Sequence, residues 1–234
     1  MVIDDKFALL TNGNLTVTGR LVDASNATLY AEVTNGEESM SCIYKPIAGE
    51  RPLWDFPEGA LAHREYAAYI LSDRLGFNLV PLTILRDGPY GFGMVQEWIE
   101  IDESVDLSLY FSSNDPDLRS MAIFDAIINN TDRKIGHLLP TDSGHLYGCD
   151  HGVTFHAQDK LRTVLWQWSG DPLTDNELTM LRQALAELHS NIDLSEYLTQ
   201  AERDALLMRV QRLITTAVMP VPNPDWPAVP WPAF

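Results

Sequence analysis

Two aspartates in one short stretch carry most of the chemistry this sequence can do. Residues 127–155 read IINNTDRKIGHLLPTDSGHLYGCDHGVTF, with Asp132 in NNTDRK and Asp150 in YGCDHG. Between them stand a short apolar piece (His137-Leu138-Leu139), a polar turn from Pro140 to Gly144, and a second apolar piece (His145-Leu146-Tyr147). The pattern predicts loop, strand, tight turn, strand, loop, so both carboxylates leave a two-stranded ribbon at the same end. Held that way, one can take a proton from a hydroxyl while the other holds a divalent cation on a phosphate.

Other residues can serve the same chemistry, each with a plainer reading beside it. Lys45 sits in the otherwise apolar strand Ile43-Tyr44-Lys45-Pro46. A lysine is costly to bury unpaired, so it either snorkels to solvent or meets a carboxylate or phosphate. Glu65, early in a helix, is either a neighbour of the helix dipole or the partner that aims Lys45 at phosphates. Ser25-Asn26-Ala27-Thr28 is a run of small residues that reads as a hairpin turn. As a phosphate loop, its backbone N–H groups would approach phosphate oxygens as those of a glycine loop do, although it is neither GxGxxG nor Walker A. His137, His145, His151 and His156, with the two aspartates, offer a competing metal-hydrolase site. They form no HxH or HExxH, and alternation along two strands sends several to different faces.

The elements that must position these groups follow from periodicity. Residues 1–10 fit a short helix. LTVTGRLVDASNATLYAEVTNGEESMSCIYKP alternates apolar and polar residues and breaks at Asp23 to Thr28 and at Asn35-Gly36, which predicts three antiparallel strands. After a Pro/Gly/Trp-rich loop, Ile47 to Gly59, LAHREYAAYILSDRLG places Ala67, Ile70, Leu71 and Leu75 at helical spacing, with Gly76 as the stop. LVPLTILRD and MVQEWIEI, joined around Asp87-Gly88-Pro89, complete a sheet of about five strands. Asp102 to Ser113 is an irregular acidic crossover. Asn114-Asp115-Pro116 opens a helix with Leu118, Met121 and Ile128 on one face, and Asp125 on that face reads as a structural carboxylate bonding the next loop. Pro172-Leu173-Thr174 opens another, with a stripe of Leu178, Leu181, Leu185 and Leu188, and Thr199 to Met219 supplies the last. The tail, VPNPDWPAVPWPAF, has five prolines and two tryptophans in 14 residues and must be extended, docked on the body or offered to a partner.

Composition bounds the function. With 234 residues and 45% hydrophobic content the chain can bury a substantial core. Sixteen basic against 33 acidic residues, a net charge of −17, oppose nonspecific binding to nucleic acid or an anionic membrane. No apolar run approaches a membrane span, no signal segment leads the chain, and two cysteines make neither a disulfide framework nor a CxxC site. A soluble cytoplasmic protein is expected.

IYKP, HREYAAYILSDRLGFNLVP, NNTDRK and YGCDHGVTF, in this order, resemble the core of phosphatidylinositol 3-/4-kinase-like enzymes. The likeness spans roughly residues 15 to 215. It is nearest in style to the type II phosphatidylinositol 4-kinases and nearer still to an actinobacterial branch of that fold; HipA-like kinases share the layout. The resemblance implies an α+β, two-lobed protein-kinase-like fold: an N-terminal antiparallel sheet plus one helix over 1–98, a mainly helical lobe over 99–220, and the tail, 221–234. Lys45 would hold the nucleotide's phosphates, with Glu65 as its partner and Ser25, Asn26, Ala27 and Thr28 as the phosphate loop. Gln96, Glu97, Trp98 and Ile99 would form the hinge that meets adenine. Asp132 would be the catalytic aspartate, Lys134 would steady the transferring group, and Asp150 would bind metal. Five residues after Asp132, where such enzymes have asparagine, stands His137, a metal ligand that favours Mn²⁺ over Mg²⁺. Arg162, Trp166 and Trp168 fall where an activation segment would be, for the acceptor or for packing.

The implied activity is an ATP-dependent phosphotransferase acting on a hydroxyl, with ATP and Mg²⁺ or Mn²⁺. A protein or small-molecule acceptor is favoured over lipid by the acidic charge. The alternatives are a nucleotide-binding pseudokinase acting as an interaction module and, second, the metal-dependent hydrolase.

Overall fold

The computed structural model describes residues 3–21 and 27–234, so Ser25 and Asn26 of the proposed phosphate loop lie outside the described residues. Helix α1 (Ile3–Asn12) leads into strands β1 (Asn14–Arg20), β2 (Leu29–Asn35) and β3 (Glu38–Pro46). Alternation drives their pairing: β2 turns Ala31 and Val33 into the core while Glu32 stays exposed. Gly36, at φ 63°, makes the tight β2–β3 turn that the Asn35-Gly36 pair predicts.

Helix α2 (Leu61–Arg74) follows, then β4 (Thr83–Gly88) and β5 (Gly91–Glu97). The described strands of this lobe form one antiparallel sheet in the order β1-β2-β3-β5-β4. Strand β5 pairs with both β3 and β4, so Lys45 lies opposite Met94 near the sheet's middle. The β4–β5 turn sits one residue later than the sequence suggests: Gly88 pairs with Gly91, leaving Pro89 and Tyr90 at its tip.

The second lobe comprises α3 (Leu107–Tyr110), α4 (Pro116–Ile128), β6 (Leu138–Pro140), β7 (Leu146–Gly148), α5 (Asp175–Ser190) and α6 (Gln200–Thr216). The architecture is therefore α+β, in the two-lobed layout of kinase-like folds. The crossover expected to be irregular contains α3, capped by Asp106, whose side chain accepts from the Ser108 amide. The β6–β7 ribbon begins one residue later than the apolar pieces indicate, because residues 135–137 form a 3₁₀ turn that takes His137 out of the strand.

Two apolar cores support the lobes. Leu9, Leu10, Val33, Tyr44 and Val95 close one between α1 and the sheet. Leu71, Phe124, Ile127, Leu181, Leu206 and Val210 belong to the other, among α2, α4, α5 and α6. Helix α2 is shared, since buried Arg64 pairs with Glu202 of α6 and donates to the Thr154 carbonyl at 3.1 Å. Trp168 belongs to this core and packs against the Arg119 guanidinium, so its role is packing.

Candidate active site

Lys45, on β3, reaches two carboxylates at once. Its Nζ lies 2.6 Å from Glu65 Oε1 on α2 and 2.8 Å from Asp150 Oδ1 beyond β7. Burial alone would lower the lysine's pKa; the two carboxylates outweigh that and hold it above its ordinary value. Lys45 in turn holds the Asp150 carboxyl well below the usual carboxylate range, so Asp150 is ionised at neutral pH. Glu65 is fixed from a second side, because the His151 amide donates to its Oε2 at 2.8 Å. Asp150 adopts φ 61°, a left-handed conformation that aspartate tolerates better than most residues and that concentrates at functional sites.

Asp132 stands across from this pair. Its amide donates to Asn130 Oδ1 at 3.0 Å, and Lys134 Nζ lies 3.5 Å from its Oδ2. Burial raises its pKa, with Asp150 adding to the shift and Lys134 and Arg162 opposing it. His137 Nε2 is 3.5 Å from Asp150 Oδ2. Burial lowers the His137 pKa to about 4, leaving a neutral imidazole at physiological pH. One ligand atom from each of Asp132, His137 and Asp150 falls within 4.8 Å of the others. Two carboxylate oxygens and one neutral imidazole nitrogen suit a divalent cation, Mn²⁺ better than Mg²⁺ because of the nitrogen.

The other histidines are spread out. His145 contacts the Asn78 carbonyl at 2.8 Å, His156 accepts from the Gln158 amide, and His151 contacts Arg133 Nη2 at 2.7 Å. Among the described residues, only His137 joins the carboxylate cluster.

The supposed hinge is well anchored. Gln96 donates to Thr83 Oγ1 at 2.8 Å, Glu97 pairs with Lys6, and Trp98 stands edge-on to Tyr30. The amides of Glu97 and Trp98 donate to the carbonyls of Leu82 and Ser41, so neither is free for a base. Ile99 lies two residues past the end of β5. On the phosphate side, the Ala27 amide donates to the Gly49 carbonyl at 3.2 Å, and Thr28 is buried.

Two contributors had little signal in the sequence. Arg133 is fully buried and makes a bidentate pair with Asp125 at 2.9 Å, while its Nη1 donates to the Cys149 carbonyl at 3.1 Å. It ties the Asp132 loop to the Asp150 loop from below, and Asp125 is structural, as its helical face suggests. The other is Glu50. Helix α2 has no capping side chain of its own at Ala60; Glu50 accepts from the amides of Leu61 and Ala62 at 3.2 and 2.9 Å. Glu50 also lines a cleft of about 50 Å³ with Ala27, Lys45, Glu65, Asp132 and Asp150.

No protein-family model matches the chain. Protein Rv2133c of Mycobacterium tuberculosis (strain ATCC 25618 / H37Rv) is 43% identical over 272 aligned positions, which take in 99% of this chain and 96% of that protein. The chain belongs to the family of that protein. Among solved structures, a Helicobacter pylori proinflammatory kinase, CtkA, aligns with a TM-score of 0.47 and 12% identity over 90% of this chain and 94% of that one. Among the described residues no helix is long and apolar enough to cross a membrane.

Proposed function

We propose that this protein is an ATP-dependent phosphotransferase that moves the γ-phosphoryl group to a hydroxyl. The observation that carries the reading is Lys45, held between Glu65 and Asp150 at 2.6 and 2.8 Å on the same cleft as Asp132. A structural lysine needs one partner; a lysine aimed by a buried glutamate at a second, 43% exposed carboxylate is poised to receive phosphate oxygens.

In this reading Glu65 orients Lys45, and Lys45 binds the phosphates. Asp150 and His137 hold the divalent ion, which supplies charge neutralisation on the phosphate oxygens when bound. Asp132 orients the acceptor hydroxyl and receives its proton, a task helped by the raised pKa that burial gives it. Lys134 steadies the transferring group through charge. Free thiols at Cys42 and Cys149 are consistent with a cytoplasmic location.

A second reading, nucleotide binding without turnover, draws on His137 standing where such enzymes have asparagine and on the absence of glycine from Ser25-Asn26-Ala27-Thr28. Asp132→Asn separates the two. The transferase reading expects nucleotide binding to survive while phosphoryl transfer falls by roughly 10²- to 10⁴-fold. A wild-type protein that binds nucleotide with no measurable loss of the γ-phosphoryl group would favour the module.

A further inference from the structure

The proline-rich tail lies along the loop that carries Asp132. The Ile135 amide donates to the Ala233 carbonyl at 2.9 Å, three residues past Asp132. The Thr163 amide donates to the Ala228 carbonyl at 3.0 Å, and Trp166 Nε1 donates to the same carbonyl at 2.9 Å. Thr163 itself bridges in parallel to Arg133, so the tail forms the next layer outward from the Asp132 loop. Trp226 packs on the cations that flank this segment, with its ring centroid 4.7 Å from Lys160 Nζ and 5.9 Å from the Arg162 guanidinium.

The contacts have the character of a groove that reads main chain. Trp226, Ala228 and Pro230 are more buried than Pro227, Val229 and Trp231, in a run that bends at residues 228–229 and 231–232. Backbone hydrogen bonds give such docking its affinity, and alternate side chains give it specificity. The occupant also has a telling composition: residues 221–234 contain no serine, threonine or tyrosine. The segment seated beside the Asp132 loop thus has no side-chain hydroxyl to which a phosphoryl group could be transferred.

We infer that this groove is the docking site for a polypeptide acceptor, and that the tail occupies it as a resident, non-phosphorylatable stand-in. The inference rests on the phosphotransferase reading and narrows its acceptor to a hydroxyl side chain within a peptide segment. In the step it implies, the bond between the γ-phosphorus of ATP and its bridging oxygen breaks, and ADP leaves with that electron pair. A new P–O bond forms to the acceptor Oγ, whose proton passes to Asp132.

The test converts the stand-in into a substrate. In the full-length chain, residues 227–234 are replaced by serine one at a time, including Ala228→Ser and Ala233→Ser, and incubated with ATP and Mn²⁺ or Mg²⁺. Phosphate on the tail is read by mass spectrometry of the tail peptide, and ATP binding is measured in parallel by calorimetry. We expect at least one variant to gain a single tail phosphate at a rate independent of protein concentration. Adding Asp132→Asn to that variant lowers the rate by roughly 10²-fold or more. If ATP binds with metal and its phosphoryl group reaches glycerol or another small hydroxyl compound, yet no tail serine is modified, the polypeptide groove is overturned and the phosphotransferase reading stands. Absence of metal-dependent ATP binding overturns both.

Discussion

Asp125 and Arg133, both fully buried, show how a side chain can govern the site without touching a reactant. Replacing Asp125 with alanine leaves a guanidinium buried without its partner, which costs about 3–5 kcal/mol. Urea denaturation of Asp125→Ala should show a loss of that size, and a loss below about 1 kcal/mol would mean the pair is not the anchor described here. His137 is a second residue-scale test. If its imidazole holds the ion, His137→Asn replaces a nitrogen ligand with oxygen and should move preference from Mn²⁺ toward Mg²⁺ in nucleotide binding. An unchanged preference would take His137 out of the ligand set. Lys45 stood out in the sequence as a charge in an apolar strand, Asp132 and Asp150 as carboxylates leaving one ribbon at the same end, and Glu65 as the helical partner that could aim the lysine. Arg133 and Glu50 did not: the first looks like one more charge beside Asp132, and the second caps a helix that begins 11 residues later, a relation only tertiary structure creates.

Helices α5 and α6 both start with capping boxes, Thr174 with Glu177 and Thr199 with Glu202. Thr174→Ala should therefore cost about 1 kcal/mol in thermal or chemical unfolding. Glu177 also pairs with Arg119 of α4 at 2.6 Å. Burial would raise the Glu177 pKa, but the bonds from Arg119 and Thr174 outweigh it and lower the pKa below its ordinary 4.5. The stabilisation this gives is complete above pH 4.5 and is lost as pH falls through the lowered value. Arg119→Ala should accordingly lose stability less steeply than wild type below that pH, and parallel acid-unfolding curves would contradict the assignment. Element boundaries were legible wherever a period or a cap was strong, as in β1 to β3, α2 and α4. They were less so at α3, four residues long, and at the ribbon, where a 3₁₀ turn displaces His137.

At the scale of the whole molecule, the loop between β3 and α2 crosses to the segment that follows Asp150. Asp55 binds Lys160 at 2.6 Å, Trp54 covers the same ammonium at 4.6 Å, and Phe56 stands against His156. The cleft between Lys45 and Asp132, about 50 Å³, is well below the 300–1,000 Å³ typical of small-molecule sites, and it is lined by Glu50 at the start of this loop rather than by Trp54, Asp55 or Phe56. Asp55→Asn should speed hydrogen exchange across residues 50–59; unchanged exchange would show that the bridge does not anchor this loop. The two-lobed order of elements was readable from the sequence, since sheet and helix periods occupy separate halves. The tail's berth was not, because an extended proline-rich run carries no period to reveal its partner.

The measurement that bears most directly on the central claim is calorimetric titration with ATP in Mg²⁺, in Mn²⁺ and with chelator, for wild type and Asp150→Ala. Binding should depend on metal and weaken sharply in the variant. Asp150→Ala that binds like wild type, or a wild type that binds no ATP under any of these conditions, would contradict it.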